Sequence, residues 1–142
     1  MKKRFKNMEE YCEYIRKLFN LSIPVNALNI IKRCGVSIKP GKIEQIAIYK
    51  NFNLLYDKDL DIKVVNFAAA KELTKLFWTE KYTDKISNEF AAELLMPKSE
   101  FINICINNPD ESDEVSLSKL SDHFQVSQHA INIRGQILGL WK

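Results

Sequence analysis

Three charged residues in the segment AKELTKLFW, residues 70–78, have the spacing that places them on one face of a helix. Lys71, Glu72 and Lys75 fall within roughly one 100° sector of a helical wheel, with the apolar residues opposite. A carboxylate between two ammonium groups is held in its charged form, and the surplus positive charge attracts anions. Taken alone, the pattern is typical of a half-exposed amphipathic helix.

The residues that most often bind transition metals are few and widely separated. His123 and His129 lie six residues apart, whereas two histidines that grip one zinc ion from a helix lie four apart. Cys12, Cys34 and Cys105 fit neither a disulfide framework nor a CxxC zinc site. We interpret the cysteines as reduced thiols of a cytoplasmic protein.

Length and composition predict one ordinary globular domain. The chain has 142 residues, enough for a genuine core. No apolar run approaches the roughly 18 residues that span a bilayer, so no membrane segment is expected. The first ten residues, MKKRFKNMEE, are basic but have no apolar segment behind them, and they are not interpreted as a signal peptide. The ten Lys or Arg of residues 1–42, against three Asp or Glu, favour a solvated face over an anion-binding surface.

Periodicity predicts helices around a small sheet, which is the α+β class. Helices are predicted at 8–19, from Pro24 to Gly35, and at 64–78, 84–96, 99–107, 117–124 and 127–137. Strands are predicted at 36–39, 43–50 and 52–57, with turns at Pro40-Gly41 and around Asn51. Thr83 and Ser127 are expected to cap helices, Pro97 to stop one, Gln125-Val126 to form a tight turn, and residues 108–114 to form an acidic loop.

Two further stretches carry a recognisable pattern together with residues 70–78. They are NEFAAELLMPKSEF, residues 88–101, and LSKLSDHFQVSQHAINIRGQILGL, residues 117–140. The three stretches resemble the ImmA/IrrE family of zinc-peptidase-like proteins. Members of that family have an AHELGH helix, then a (C/A)NxFAAELLMP helix, then an LAxxFxVSxxAxxxRLxxLGL segment. The match to FAAELLMP is uninterrupted, and the resemblance covers about residues 60–140.

The resemblance implies a site in which the zinc ligands have been replaced. The family's ligand histidines align with Lys71 and Lys75, and its general base aligns with Glu72, which is therefore a vestigial catalytic position. The third ligand aligns with Lys85 or, in another alignment, with Ile86. A protonated lysine has no lone pair to offer zinc, and ammonium groups repel a dication, so neither a metal nor another cofactor is expected.

Glu93 is the odd residue in the apolar stretch FAAELLMP. Two interpretations stand side by side. It is an exposed carboxylate, or it pairs with a lysine that lines the former metal pocket. In the second case it belongs to the same pseudo-active site as Lys71, Lys75 and Lys85.

The resemblance also implies a fold and a way of acting. We expect one ImmA/IrrE-like domain over residues 1–142: a peptidase-like part, about 1–107, with a small twisted sheet and zincin-like motif helices, and a helix-turn-helix-like lobe, about 115–142. The expected function is that of a pseudo-enzyme that binds a protein partner, such as a repressor or a host or phage factor, as a regulator, anti-repressor or inhibitor in a phage or mobile element. The alternatives are a DNA-binding regulator and an active metallopeptidase that cleaves a repressor. Nucleic acid is a possible partner that the few cations of the C-terminal helices disfavour.

Overall fold

Helices form most of the described residues, and two of them, Ala27–Arg33 and Ile62–Phe77, pack against one small sheet. The computed structural model describes residues 7–78, 83–107 and 113–141, apart from the side chains of residues 113–116. In those ranges the helices are α1 (Met8–Leu18), α2 (Ala27–Arg33), α3 (Ile62–Phe77), α4 (Asp84–Leu95), α5 (Lys98–Asn107), α6 (Asp113–Phe124) and α7 (Gln128–Ile137). The strands are β1 (Ser37–Gly41), β2 (Ala47–Lys50) and β3 (Asn53–Asp57). The predicted α+β class is confirmed.

Short-range hydrogen bonds set the ends of the helices that were predicted from caps. The Thr83 hydroxyl accepts the Ile86 N–H at 3.1 Å, and the Ser127 hydroxyl accepts the Ala130 N–H at 3.1 Å. Each cap satisfies a donor that the first turn of a helix leaves without a partner. Helix α4 ends at Leu95, just before Pro97, so the predicted stop is also confirmed.

Helix α2 begins later than the sequence prediction placed it. The predicted start was Pro24, but the helix runs from Ala27, and the Asn26 side chain accepts the Asn29 N–H at 3.0 Å. An asparagine side chain that bonds the backbone three residues ahead is a strong helix start, and it outweighs the preference of proline for the first turn. Gly35 follows the helix with φ of 85°, as expected for its exit.

The sheet has the strand order β1-β3-β2, with β1 parallel and β2 antiparallel to β3. Strands β2 and β3 form a hairpin whose turn residues, Asn51 and Phe52, have φ of 52° and 61°. The predicted turn around Asn51 is thus confirmed. The predicted turn at Pro40-Gly41 is wrong, because both residues belong to β1. Since β1 lies at an edge of the sheet, a proline without an N–H is tolerated there.

Helices α3 and α4 pack together at the centre of the core. Ala69, Ala70 and Leu73 of α3 and Ala91 and Leu94 of α4 are all completely buried. The alanines let the two helices approach closely, and the leucines fill the space between them. The apolar faces that the sequence pattern predicted are therefore the faces that meet in the core.

The C-terminal region contains two helices joined by a short turn at Gln125, whose φ is 56°. Helix α6 begins at Asp113, so residues 113–114 are helical rather than part of the predicted acidic loop; the rest of that loop, residues 108–112, lies outside the described residues. Helix α3 begins at Ile62, two residues before the predicted start, because the Asp61 side chain accepts the Lys63 N–H at 2.8 Å. Among the helices described, none combines the length and apolar content that crossing a membrane requires.

Candidate functional site

A cleft of about 900 Å³ is lined by residues of α1, α3, α4 and α7 and by the residue before β2. Most of its lining is apolar, including Val64, Phe67, Ala92, Ala130, Ile133 and Ile137. A cleft of this size lies at the upper end of the range of about 300–1,000 Å³ that is usual for ligand pockets. It is therefore large enough to take a small molecule or a segment of another chain.

Lys71 and Lys85 both line this cleft. The Lys71 ammonium lies 3.4 Å from a carboxylate oxygen of Asp84, and its side chain is 29% exposed. The Lys85 side chain is 86% exposed, with its ammonium 4.0 Å from Glu89. Ile86, the alternative third position, is not part of the cleft lining, and its N–H bonds the Thr83 cap. Of the two candidates for the third position, Lys85 lines the same cleft as Lys71, and Ile86 does not.

Glu72 and Lys75 do not line the cleft, although they belong to the same helix as Lys71. One Glu72 oxygen accepts the Tyr49 N–H of β2 at 2.8 Å and the Lys75 ammonium at 2.7 Å. The Glu72 side chain is only 13% exposed. Its carboxylate therefore links α3 to β2 and is not part of the cleft lining.

The residues that the resemblance aligns with zinc ligands do not fit a zinc ion. Lys71 and Lys75 are each held in an ion pair, and an ammonium group must lose its proton before it can bind a metal. Within the described ranges, moreover, no group of three His, Cys, Asp or Glu side chains is close enough together to hold a metal. His123 instead bonds Glu100 at 2.6 Å, and His129 is an exposed residue of the cleft rim.

Glu93 matches neither of the two interpretations given for it. It is buried, 5% exposed, and one of its oxygens lies 2.6 Å from the guanidinium of Arg134, which is itself buried. Arg134 also donates to the carbonyl of Met96 at 3.0 Å and 3.1 Å, and the Arg16 guanidinium lies 3.8 Å from the second Glu93 oxygen. A carboxylate can be buried here because two arginines face it. The ion pair holds α7 against the C-terminal end of α4, at the wall of the cleft.

The isoleucines of helix α7 lie in two environments, the core and the cleft. Ile131 is completely buried in the core, whereas Ile133 is 41% exposed and Ile137 is 70% exposed. Both exposed isoleucines line the cleft. Their spacing of four residues puts them on the same side of the helix, and they present apolar surface that the fold itself leaves in contact with water.

The sequence prediction missed the residues that hold the site together. No role in the site was predicted for Tyr49, Asp84 or Arg134. They bond Glu72, Lys71 and Glu93, respectively. No local signal identifies them, because each bond joins separate elements. The isoleucines of α7 were a usable signal, since helical spacing puts Ile131 on the side of the helix opposite to Ile133 and Ile137 and so predicts one buried and one outward face.

Comparison with known proteins adds no family to this description. No protein-family model and no curated protein matches the chain.

Proposed function

We propose that this protein is a catalytically inactive, ImmA/IrrE-like protein that acts by binding another protein in the cleft between α3, α4 and α7. The observation that carries the proposal is the cleft itself. It is lined mainly by apolar residues, and Ile133 and Ile137 expose a large part of their surface in it. Exposed apolar surface marks protein-binding sites as well as ligand grooves, and the resemblance favours a protein here.

The chemistry of the pseudo-active site supports a role without catalysis. In the resemblance, Glu72 takes the place of the general base, but its carboxylate bonds the Tyr49 N–H and Lys75 outside the cleft. A general base must come within about 3 Å of the proton that it removes. Lys71, at a former ligand position, carries an ion pair with Asp84. Neither residue is arranged to activate a water molecule.

The same proposal extends to the biological setting that the resemblance implies. The partner is a repressor or a host or phage factor, and the protein is a regulator, anti-repressor or inhibitor of a phage or mobile element. The zincin-like arrangement of α3 and α4, and the helix-turn-helix-like form of α6 and α7, are parts of this proposal. A cytoplasmic location accords with the free thiols of Cys12, Cys34 and Cys105.

DNA binding by the C-terminal helices is disfavoured by the state of Arg134. It is the only Lys or Arg of α7, and it is buried against Glu93. A DNA reader of this type commonly makes about 6–10 phosphate contacts, largely through Lys and Arg. Gln128 and His129 are exposed on α7, but they lack neighbouring cations on that helix to hold them in a groove.

The proposal is tested by capturing the partner and then mapping its binding site. Proteins cross-linked to the tagged chain in its native host are identified by mass spectrometry, purified and titrated against three forms of the protein. Binding is expected to weaken at least about tenfold in Ile133→Asn, which places an amide in the cleft. It should stay unchanged in Ile62→Asn, a matched change at an exposed residue outside the cleft.

Three results would contradict the proposal. A partner that binds Ile133→Asn as tightly as the unchanged protein does not use the cleft. Cleavage of the partner on incubation with the protein and zinc would show that the protein is an active peptidase. If a DNA duplex binds with sub-micromolar affinity at near-physiological salt, and this binding weakens in Gln128→Ala, the protein is instead a DNA-binding regulator.

A further inference from the structure

Ammonium and amide donors line the cleft at the start of α4, among side chains that are mostly apolar. Lys71 forms its ion pair with Asp84, the first residue of α4, so it lies near the start of that helix. Lys85 and Asn88 follow in the first turns of α4 and line the cleft as well. Helix α7, whose Ile133 and Ile137 also line the cleft, meets the other end of α4, where Arg134 donates to the Met96 carbonyl.

The ammonium of Lys71 is the best placed of these donors to bind an anion. Its side chain is 29% exposed and lines the cleft, whereas its counter-ion, Asp84, is 83% exposed. An ion pair with so exposed a carboxylate is weak, because water screens it and its side chains lose conformational entropy. An ammonium group has three N–H donors, so Lys71 can keep this contact and still donate to a second carboxylate.

The remaining charges of the cleft do not oppose an anion at Lys71. Arg134 and Glu93 neutralise each other at the opposite end. Glu89 is half exposed and lies 4.0 Å from Lys85, whose positive charge offsets it. A ligand that is complementary to this surface is therefore apolar along most of its length and carries one negative charge at the end that reaches Lys71.

The length of the cleft indicates how much of a chain it takes. From Lys85 to Met96, helix α4 and its cap rise about 16 Å, at 1.5 Å per residue. An extended chain advances about 3.3 Å per residue, so about five residues cover that distance. The carboxyl terminus of a polypeptide, with about five apolar residues before it, has this length and this single terminal charge.

We propose that the cleft binds the carboxyl-terminal five or so residues of its partner, with the terminal carboxylate on Lys71 and the apolar side chains against α7. This inference rests on the proposed function, since it names the part of the partner that occupies the same cleft. Lys71, which the resemblance aligns with a zinc ligand, then binds the partner through its positive charge. It also explains why apolar residues and ammonium groups share one cleft.

The test compares two probes that differ only at the terminus. One is an N-acetylated pentapeptide of leucine and alanine with a free carboxylate, and the other is the same peptide as its carboxamide. Both are titrated by calorimetry against the unchanged protein, Lys71→Gln and Lys17→Gln. Lys17 is a matched control because it is an exposed lysine on α1 that does not line the cleft. Circular dichroism and the unfolding midpoint establish that each variant is folded.

The free acid is expected to bind about tenfold more tightly than the amide, as a charge-assisted hydrogen bond in a partly buried site provides. In Lys71→Gln the two peptides should bind within about twofold of each other, and in Lys17→Gln the tenfold preference should remain. The preference should also shrink when the salt concentration is raised from about 0.05 M to 0.5 M.

The outcomes separate this inference from the proposed function. Equal binding of acid and amide to the unchanged protein overturns the role of Lys71 and leaves an apolar protein-binding cleft standing. Binding of neither peptide, with tight binding of dodecanoate that depends on Lys71, makes the ligand a fatty anion and overturns the peptide terminus. If neither peptide nor dodecanoate binds, the inference fails, and the effect of Ile133→Asn on the captured partner alone decides whether the proposed function fails with it.

Discussion

Replacing Glu93 with methionine removes one member of the buried ion pair without leaving a large cavity. The side chains of Glu93 and Arg134 are only 7% and 8% exposed, and their closest charged atoms are 2.6 Å apart. After Glu93→Met the Arg134 guanidinium keeps the Met96 carbonyl but loses its counter-ion in a buried site. Removing one partner of a buried pair costs about 3–5 kcal/mol of the free energy of unfolding.

Replacing Arg134 should lower the free energy of unfolding less than replacing Glu93. After Arg134→Met, the Glu93 carboxylate still has the Arg16 guanidinium at 3.8 Å and the Lys98 N–H at 3.4 Å. These contacts stabilise the remaining charge, so we expect a loss smaller than that of Glu93→Met. The double variant removes both charges of the closest pair, so it should be more stable than Glu93→Met, although the Met96 carbonyl loses its two donors and Arg16 keeps only its backbone acceptors.

Urea unfolding, followed by circular dichroism, measures all of these effects. With a slope of about 2 kcal/mol per M, a loss of about 4 kcal/mol lowers the midpoint by about 2 M. Glu13→Met is the control: it breaks the exposed Glu13–Lys17 pair on α1, which spans 3.2 Å, and should cost less than about 1 kcal/mol. If Glu93→Met costs no more than Glu13→Met, or if the double variant is the least stable of all, the burial of this pair does not control stability.

Three further changes have definite expected results. Gly135→Ala should lower the free energy of unfolding by about 1–3 kcal/mol despite the better helix propensity of alanine, because the added Cβ would lie 2.0 Å from a ring atom of Trp141; an increase in the thermal midpoint would contradict this. Phe52→Gly should raise the free energy of unfolding by about 1 kcal/mol. Phe52 has φ of 61° and is 74% exposed, so the change relieves backbone strain and loses little packing. A urea midpoint below that of the unchanged protein would refute the strain argument. Burial raises the pKa of the Cys12 thiol above its usual range, so a thiol reagent at pH 8 should label exposed Cys34 first and reach Cys12 only on unfolding, as followed by mass spectrometry; early labelling of Cys12 would show that the core around α1 opens.

The sequence alone determined the elements that depend on nearby residues. The caps at Thr83 and Ser127, the stop at Pro97 and the turn at Asn51 involve partners at most four residues away. Such interactions form whatever the rest of the chain does, and they can be recognised from residue type and spacing. Some local predictions failed: at Pro24 a stronger local signal in Asn26 had been overlooked, and Pro40-Gly41 belongs to an edge strand rather than a turn.

Only the tertiary structure decided what the charged residues of the candidate site do. Lys71 and Glu72 are adjacent in the sequence, yet Lys71 lines the cleft while Glu72 bonds Tyr49, 23 residues away. Glu93 and Arg134 are 41 residues apart. Helical spacing tells which side chains share a face, but not which neighbour that face meets. The partner of a buried charge is set by the packing of helices against one another, because only there does the loss of water require a counter-ion.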